Sequence, residues 1–176
     1  MTGMKQVDPP SACIGCGAVL DHIDGPTHRY MASSPACFAQ FNTVLACEYS
    51  DPALQATHRL TVDTYAVQHP GSGRLRQEIQ SVGLHLARLM LQLENPRPPR
   101  ETNDVMLGLS RSKASLIRLA PPKRFTMTIA DVSAVAGQPE HASRVKDWAR
   151  STWADWSEHH HYIRDWTALA MRHGRG

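Results

Sequence analysis

Cys13-Ile14-Gly15-Cys16-Gly17 and Ser34-Pro35-Ala36-Cys37 bracket the stretch that decides how this chain is built. Between them lie Asp24-Gly25-Pro26, a strong turn signal, and then His28 and Tyr30. Three of the four cysteines and one histidine fall here, spaced Cys-x2-Cys-x11-His-x8-Cys. Structural zinc takes four nitrogen or sulfur ligands in a tetrahedron, commonly a C-x2-C pair and a second pair from elsewhere. Cys13, Cys16 and Cys37 supply three ligands, and His28 is the nearest fourth. Gly15 and Gly17 relieve crowding where backbone amides fold back around a bound sulfur. A redox reading of C-x-x-C needs a strand-to-helix junction, but turns surround this one and no βαβ pattern follows. The spacing therefore predicts a zinc knuckle over 13–37.

The knuckle runs into a helix. Ser34 is a good N-cap and Pro35 a good first-turn residue. Cys37 sits in the first turn, where the positive helix end favours the thiolate, the form that binds metal. Cys37, Phe41, Val44, Leu45 and Glu48 then share one face. Cys47 lies ten residues beyond Cys37, about 15 Å along the axis, so it is read as a small buried hydrophobe outside the site. Asp51-Pro52 repeats the cap-then-proline signal and predicts a second helix from 52 to 69, ended by Pro70-Gly71-Ser72-Gly73. A third follows from 76 to 94 on the stripe Ile79, Val82, Leu86, Leu89, Met90 and Leu93. The proline-rich run 95–100 reads as an exposed linker and 95–139 as an irregular connection, in which Val105, Met106, Leu107 and Leu109 could open a short helix and Leu116, Ile117 and Leu119 could be helix or strand. Within it, 125–129 resembles a short strand, and Thr128 could cap a short helix. The last helix is predicted over 140–172, with Val145, Trp148, Thr152, Trp156, His159, Ile163, Trp166 and Ala170 on one face.

Several polar residues fall on apolar faces. Glu48, Asp63, Tyr65, Gln68, His69, His85 and His159 are the candidates for a pocket between helices, with Asp63, His69, His85 and His159 in catalytic roles. Glu48, Tyr65 and Gln68 are its cofactor-binding or ligand-binding residues. Inward Glu and His from several helices are how metal and cofactor sites are built in bundles. Each also has a bland reading. Arg59, one turn before Asp63, could form an ion-pair strut with it. His69 could cap the end of its helix. Asp155 could orient His159, or His159 could be a satisfied core residue. His58, near the start of helix two, competes with His28 as fourth zinc ligand.

Length and composition set the frame. A chain of 176 residues, 41% hydrophobic and 20% charged, reads as one folded domain over 1–176. Net charge +3 without a dense basic stripe gives no strong nucleic-acid signal. No run approaches the ~18 apolar residues of a membrane span. Residues 1–12 read as a loose leader without a signal-peptide pattern, which places the protein in the cytoplasm.

A resemblance covers nearly the whole chain. It rests on Cys13-x-x-Cys16-Gly17, Gly25-Pro26-Thr27-His28-x-Tyr30 and Ser34-Pro35-x-Cys37. It continues through His58-Arg59-Leu60-x-Val62-Asp63-x-Tyr65-x-x-Gln68-His69-Pro70-Gly71, Gln80-Ser81-Val82-x-x-His85-Leu86 and Trp148-Ala149-x-x-x-Trp153. These resemble an uncharacterised bacterial family known only as a domain of unknown function. Phe38 departs from the tryptophan that the resemblance implies at that place. The resemblance implies no activity.

The chain is thus read as mainly α, a bundle of about four principal helices with a zinc knuckle at one end. Two functions follow. One is a small-molecule metalloenzyme with a His/Asp/Glu-lined pocket. The other is a non-catalytic interaction or regulatory module with a purely structural zinc, acting through a protein partner or as a homo-oligomer.

Overall fold

The computed structural model describes residues 9–173. Most of the expected leader, residues 1–8, lies outside the described residues. Ser11–Ala12 (β1) pairs antiparallel with Val19–Leu20 (β2), Ser11 opposite Leu20. The loop between them carries Cys13 and Cys16. Cys13 N–H donates to the Ala18 carbonyl at 2.8 Å and Gly17 N–H to the Cys13 carbonyl at 2.9 Å, closing a tight turn.

Helix α1 spans Pro35–Ser50, and the Ser34 hydroxyl accepts the Cys37 N–H at 3.2 Å as the cap signal predicts. Helix α2 is shorter than its sequence signal, His58–Gln68. Residues 52–57 form turns instead, because Leu54 N–H returns to Asp51 O and Thr57 N–H to Leu54 O. These three-residue steps break the four-residue ladder of an α-helix. Helix α3 spans Arg76–Glu94, and the Glu78 carboxylate accepts the Leu75 N–H at 3.2 Å at its start.

The fold has more than four principal helices. The stretch expected as linker and irregular connection holds α4 (Pro99–Ser112) and the short α5 (Ile129–Ser133). Pro99 occupies the first helical position, where a missing N–H costs nothing. The strand expected at 125–129 is absent. Thr126 turns its backbone N–H and hydroxyl to the Asp155 carboxylate, each at 2.8 Å. Thr128 does precede a helix, with the Asp131 carboxylate accepting its N–H at 2.7 Å.

The long final helix is two, α6 (His141–Asp155) and α7 (His160–His173), joined by a 3-10 turn over Ser157–His159. The His160 imidazole explains the break. Its Nε2 donates to the Trp153 carbonyl at 2.7 Å, taking an acceptor that a continuous helix would need, and its ring stacks on Trp153 at 3.7 Å. The expected apolar face survives the break: Val145, Trp148, Trp156, Ile163, Trp166 and Ala170 are all buried.

Helix α2 is the centre of this assembly. It packs chiefly on α3, and also on α6 and α1. Eight of its eleven residues are buried, Leu60, Thr61 and Asp63 to Gln68. A helix buried on nearly every side must satisfy each polar side chain internally. Those internal partners define the sites below.

Candidate metal centre

Cys13 and Cys16 hang from the β1–β2 loop, Cys37 projects from the first turn of α1, and His69 ends α2. All four are buried, and their ligand atoms lie within 4.8 Å of one another. Cys16 Sγ is 3.7 Å from Cys37 Sγ, and Cys37 Sγ is 3.3 Å from His69 Nε2. This cluster could hold a metal ion.

The surroundings fix each ligand. His69 Nδ1 lies 2.7 Å from the Tyr65 carbonyl oxygen, which can only accept. Nδ1 therefore carries the proton, and Nε2 presents its lone pair to the sulfurs. A carbonyl on the far ring nitrogen is the usual second partner of a metal-binding imidazole. The Tyr65 ring lies between Phe41 and His69, stacked at 3.9 Å from each. Its hydroxyl donates to Cys37 Sγ at 3.7 Å, and burial raises its pKa, so it stays a donor. Ser34 N–H donates to Cys13 Sγ at 3.3 Å.

The three thiols perturb one another strongly. Hydrogen bonds from Cys16 and then Cys37 push the Cys13 thiol down. The same contact with Cys13 pushes Cys16 up to about 12 and raises Cys37 strongly. The helix end alone favours thiolate at Cys37. In the cluster, the contacts with Cys13 and then Cys16, together with burial, push the Cys37 thiol up instead.

Gly15 lets the loop close on the helix. A Cβ there would collide with the Ala32 carbonyl oxygen, His69 Cδ2 and the Gln68 carbonyl oxygen. The sequence reading gave Gly15 a role in wrapping sulfur. The atoms that crowd this position belong to the His69 ring and to the backbone at Ala32 and Gln68.

His28, expected as the fourth ligand, is not in the cluster. It accepts the Tyr30 N–H at 3.4 Å, packs edge-on against that ring at 4.5 Å, and burial followed by His85 lowers its pKa. His58 is not there either. Its Nδ1 faces Glu48 at 3.2 Å and its Nε2 the Tyr49 hydroxyl at 3.0 Å. Cys47 lies outside, as its position ten residues along the helix required. Sequence spacing alone does not reveal His69, because it lies 32 residues from Cys37. The Pro70-Gly71 helix stop beside it was the available signal.

The expected pocket residues separate into distinct networks. Buried Glu48 accepts from the hydroxyls of Thr57 and Thr61, from His58, and from His141 Nε2 at 3.2 Å. His141 Nδ1 accepts the Gly137 N–H at 3.0 Å, so its Nε2 is the protonated nitrogen. Sequence reasoning missed His141. Asp63 accepts from His85 Nδ1 at 2.6 Å, from Arg88, and from Gln92 at 2.7 Å. Arg59, its expected partner, donates to Asn103 instead. Gln68 donates to the Met127 carbonyl at 2.7 Å and to Thr152 at 2.8 Å. His159 donates to the Ala120 carbonyl at 2.8 Å, and Asp155 turns away from it to Thr126.

A family model of unknown function, DUF5946, matches residues 11–157. The chain belongs to that family. The matched span contains all four residues of the cluster. No curated protein and no solved structure gives a match. No helix among the described residues is long and apolar enough to cross a membrane.

Proposed function

We propose that Cys13, Cys16, Cys37 and His69 hold one zinc ion whose role is structural, and that this DUF5946 chain is a single zinc-fastened helical domain. The observation that carries this is the donor set, three sulfurs and one correctly protonated imidazole converging in a buried cluster. Ideal tetrahedral zinc, with Zn–S about 2.3 Å and Zn–N about 2.0–2.1 Å, places two sulfurs about 3.8 Å apart and sulfur about 3.6 Å from nitrogen. The Cys16–Cys37 and Cys37–His69 separations of 3.7 Å and 3.3 Å lie close to these values, and all four ligand atoms lie within 4.8 Å of one another. Tetrahedral sulfur-rich sites are the preference of zinc and of iron–sulfur centres, and one imidazole with three thiolates favours zinc.

Four protein ligands fill a tetrahedron, leaving no coordination position for a substrate. Zinc at this place joins the N-terminal hairpin, the start of α1 and the end of α2. We favour the non-catalytic reading over a metal-dependent enzyme with one shared pocket, since Glu48, Gln68 and His159 each have partners apart from the Asp63–His85 pair. On this reading the module is a scaffold whose helical surfaces meet a partner or ligand. Free, buried thiols suit a reducing compartment, and the cytoplasm is the natural location.

Metal analysis of purified protein tests this. One zinc per chain is expected, lost in Cys13→Ser, Cys16→Ser, Cys37→Ser and His69→Ala, and kept in His28→Ala. Cobalt substitution should give the visible spectrum of a tetrahedral thiolate-rich site. Full zinc content in His69→Ala, or loss of zinc in His28→Ala with the fold intact, would refute the assignment.

A further inference from the structure

Helix α3 has a second face that its apolar stripe leaves unused. Gln77, Ser81, His85 and Arg88 recur at helical spacing and border a cleft of about 420 Å³. Tyr30 also lines it, as do Ser110 and Lys113 at the end of α4. That volume lies within the ~300–1,000 Å³ of small-molecule sites. Its lining contains His85, Arg88 and Lys113 but no Asp or Glu.

Behind the cleft sits Asp63, fully buried. It takes the His85 Nδ1–H at 2.6 Å and holds Arg88 through Nε at 3.1 Å and Nη2 at 2.9 Å. Both side chains are thereby fixed in place. His85 Nε2 has no hydrogen-bond partner among the described residues, and neither has Arg88 Nη1. Asp63 is offset by Arg88, so the Lys113 charge is left over. A carboxylate that orients an imidazole and a guanidinium from behind, with a free cation opposite, is an arrangement suited to an incoming oxyanion.

We infer that this cleft binds a small ligand through a phosphate or carboxylate group, with Arg88 and Lys113 supplying charge, His85 Nε2 a directed hydrogen bond, and Asp63 acting as a positioning residue. The inference is independent of the zinc assignment. A second cleft, of about 380 Å³, carries Arg97, Lys146 and Arg150. It has cations without an oriented histidine, and it serves as the internal control.

The test uses full-length protein in its metal-bound form. Inorganic phosphate and acetate are titrated at constant ionic strength while the His85 imidazole and backbone amide resonances are followed by NMR. A saturable shift centred on residues 77–88 and 110–113 is expected with at least one of the two anions. Lys113→Glu, an exposed change, should weaken it about tenfold, the effect of losing a charge-assisted hydrogen bond. Lys146→Glu should leave it unchanged. Shifts that stay linear and spread over the surface, that centre on Lys146 and Arg150, or that persist in Lys113→Glu would overturn the inference. A fully folded, zinc-replete protein that fails this titration leaves the metal assignment standing.

Discussion

Gly15→Ala is the sharpest perturbation the structure offers. A Cβ at this position meets the Gln68 carbonyl oxygen at 2.9 Å, and the Ala32 carbonyl oxygen and His69 Cδ2 more closely still. Ordinary contact begins near 3.4 Å, so the mildest of these contacts alone demands that the loop retreat by about 0.5 Å. Two of the three obstacles are backbone atoms that no rotamer change can move. Metal–ligand distances tolerate about 0.2 Å. The retreat therefore draws Cys13 and Cys16 away from His69 by more than the site can absorb. Overpacking of this kind costs about 1–3 kcal/mol, and weakened metal binding adds to it. For a chain of this length, a loss of about 2–3 kcal/mol lowers Tm by roughly 4–12 °C. Zinc affinity, measured by competition with a chromophoric chelator, should fall at least about tenfold. Gly17→Ala is the companion variant. Gly17 has φ +78° and open space where its Cβ would stand. It should lose about 1–2 kcal/mol from backbone strain while zinc affinity holds. If Gly15→Ala matches the native protein in both affinity and Tm, the packing of this loop on His69 is wrong, and the proposed coordination fails with it.

Further outcomes follow from the other networks. Cys47→Ala should retain one zinc and lose about 1 kcal/mol in a denaturant melt, since the side chain only packs. Glu48→Ala should cost about 3–5 kcal/mol by the same measurement, because it strips a buried acceptor from two threonines and His141 at once. His141→Phe should also destabilise the fold, whereas both variants keep their zinc content because neither residue touches the cluster. The Arg164 guanidinium, followed by the Trp153 indole, holds the Glu94 carboxyl below its ordinary pKa. The stability this contact gives is present above the ordinary carboxylate range and lost as pH falls through the lowered value. Glu94→Gln should therefore flatten the acid limb of a Tm-against-pH curve. An unchanged limb would mean that this exposed pair contributes nothing.

Local signals were legible, and contacts between distant segments were not. Ser34-Pro35 and Pro70-Gly71 mark the start of α1 and the close of α2 because capping and turn chemistry act within a few residues. The same local logic misled at 95–100, where prolines read as linker although Pro99 begins α4. It misled again at 140–172, where the apolar face runs unbroken through Trp156. Nothing in that periodicity announces that His160 will take the Trp153 carbonyl. The cysteines stand close in sequence and so could be grouped by spacing. The histidine had to be chosen from the whole chain, and the nearest in sequence was the natural choice. His28 follows the turn at Gly25-Pro26 and pairs with Tyr30, while His69 reaches the sulfurs only after two helices have folded back on each other.

The burial of α2 explains why a metal would be useful at this place. Its inner surface carries Thr61, Asp63, Thr64, Tyr65 and Gln68, so apolar contact is interrupted at nearly every turn. Three of these side chains reach different parts of the protein, Thr61 to Glu48 on α1, Asp63 to His85 and Arg88 on α3, and Gln68 to Thr152 on α6, whereas the Thr64 hydroxyl returns to the Leu60 carbonyl of α2 itself. Net gains from such hydrogen bonds are only about 1 kcal/mol each, whereas an unmet buried group costs more. The helix is thus held by directional contacts that fail together if it shifts. His69 lies at its last turn, beside a glycine-mediated contact with the hairpin. A zinc ion there, with a binding free energy of about 10–16 kcal/mol in small structural sites, would tie the end of α2 to the hairpin and to the start of α1. Such a metal and the polar networks would then serve one purpose, setting the position of α2. The orientation of Asp63 toward His85 and Arg88 depends on that position.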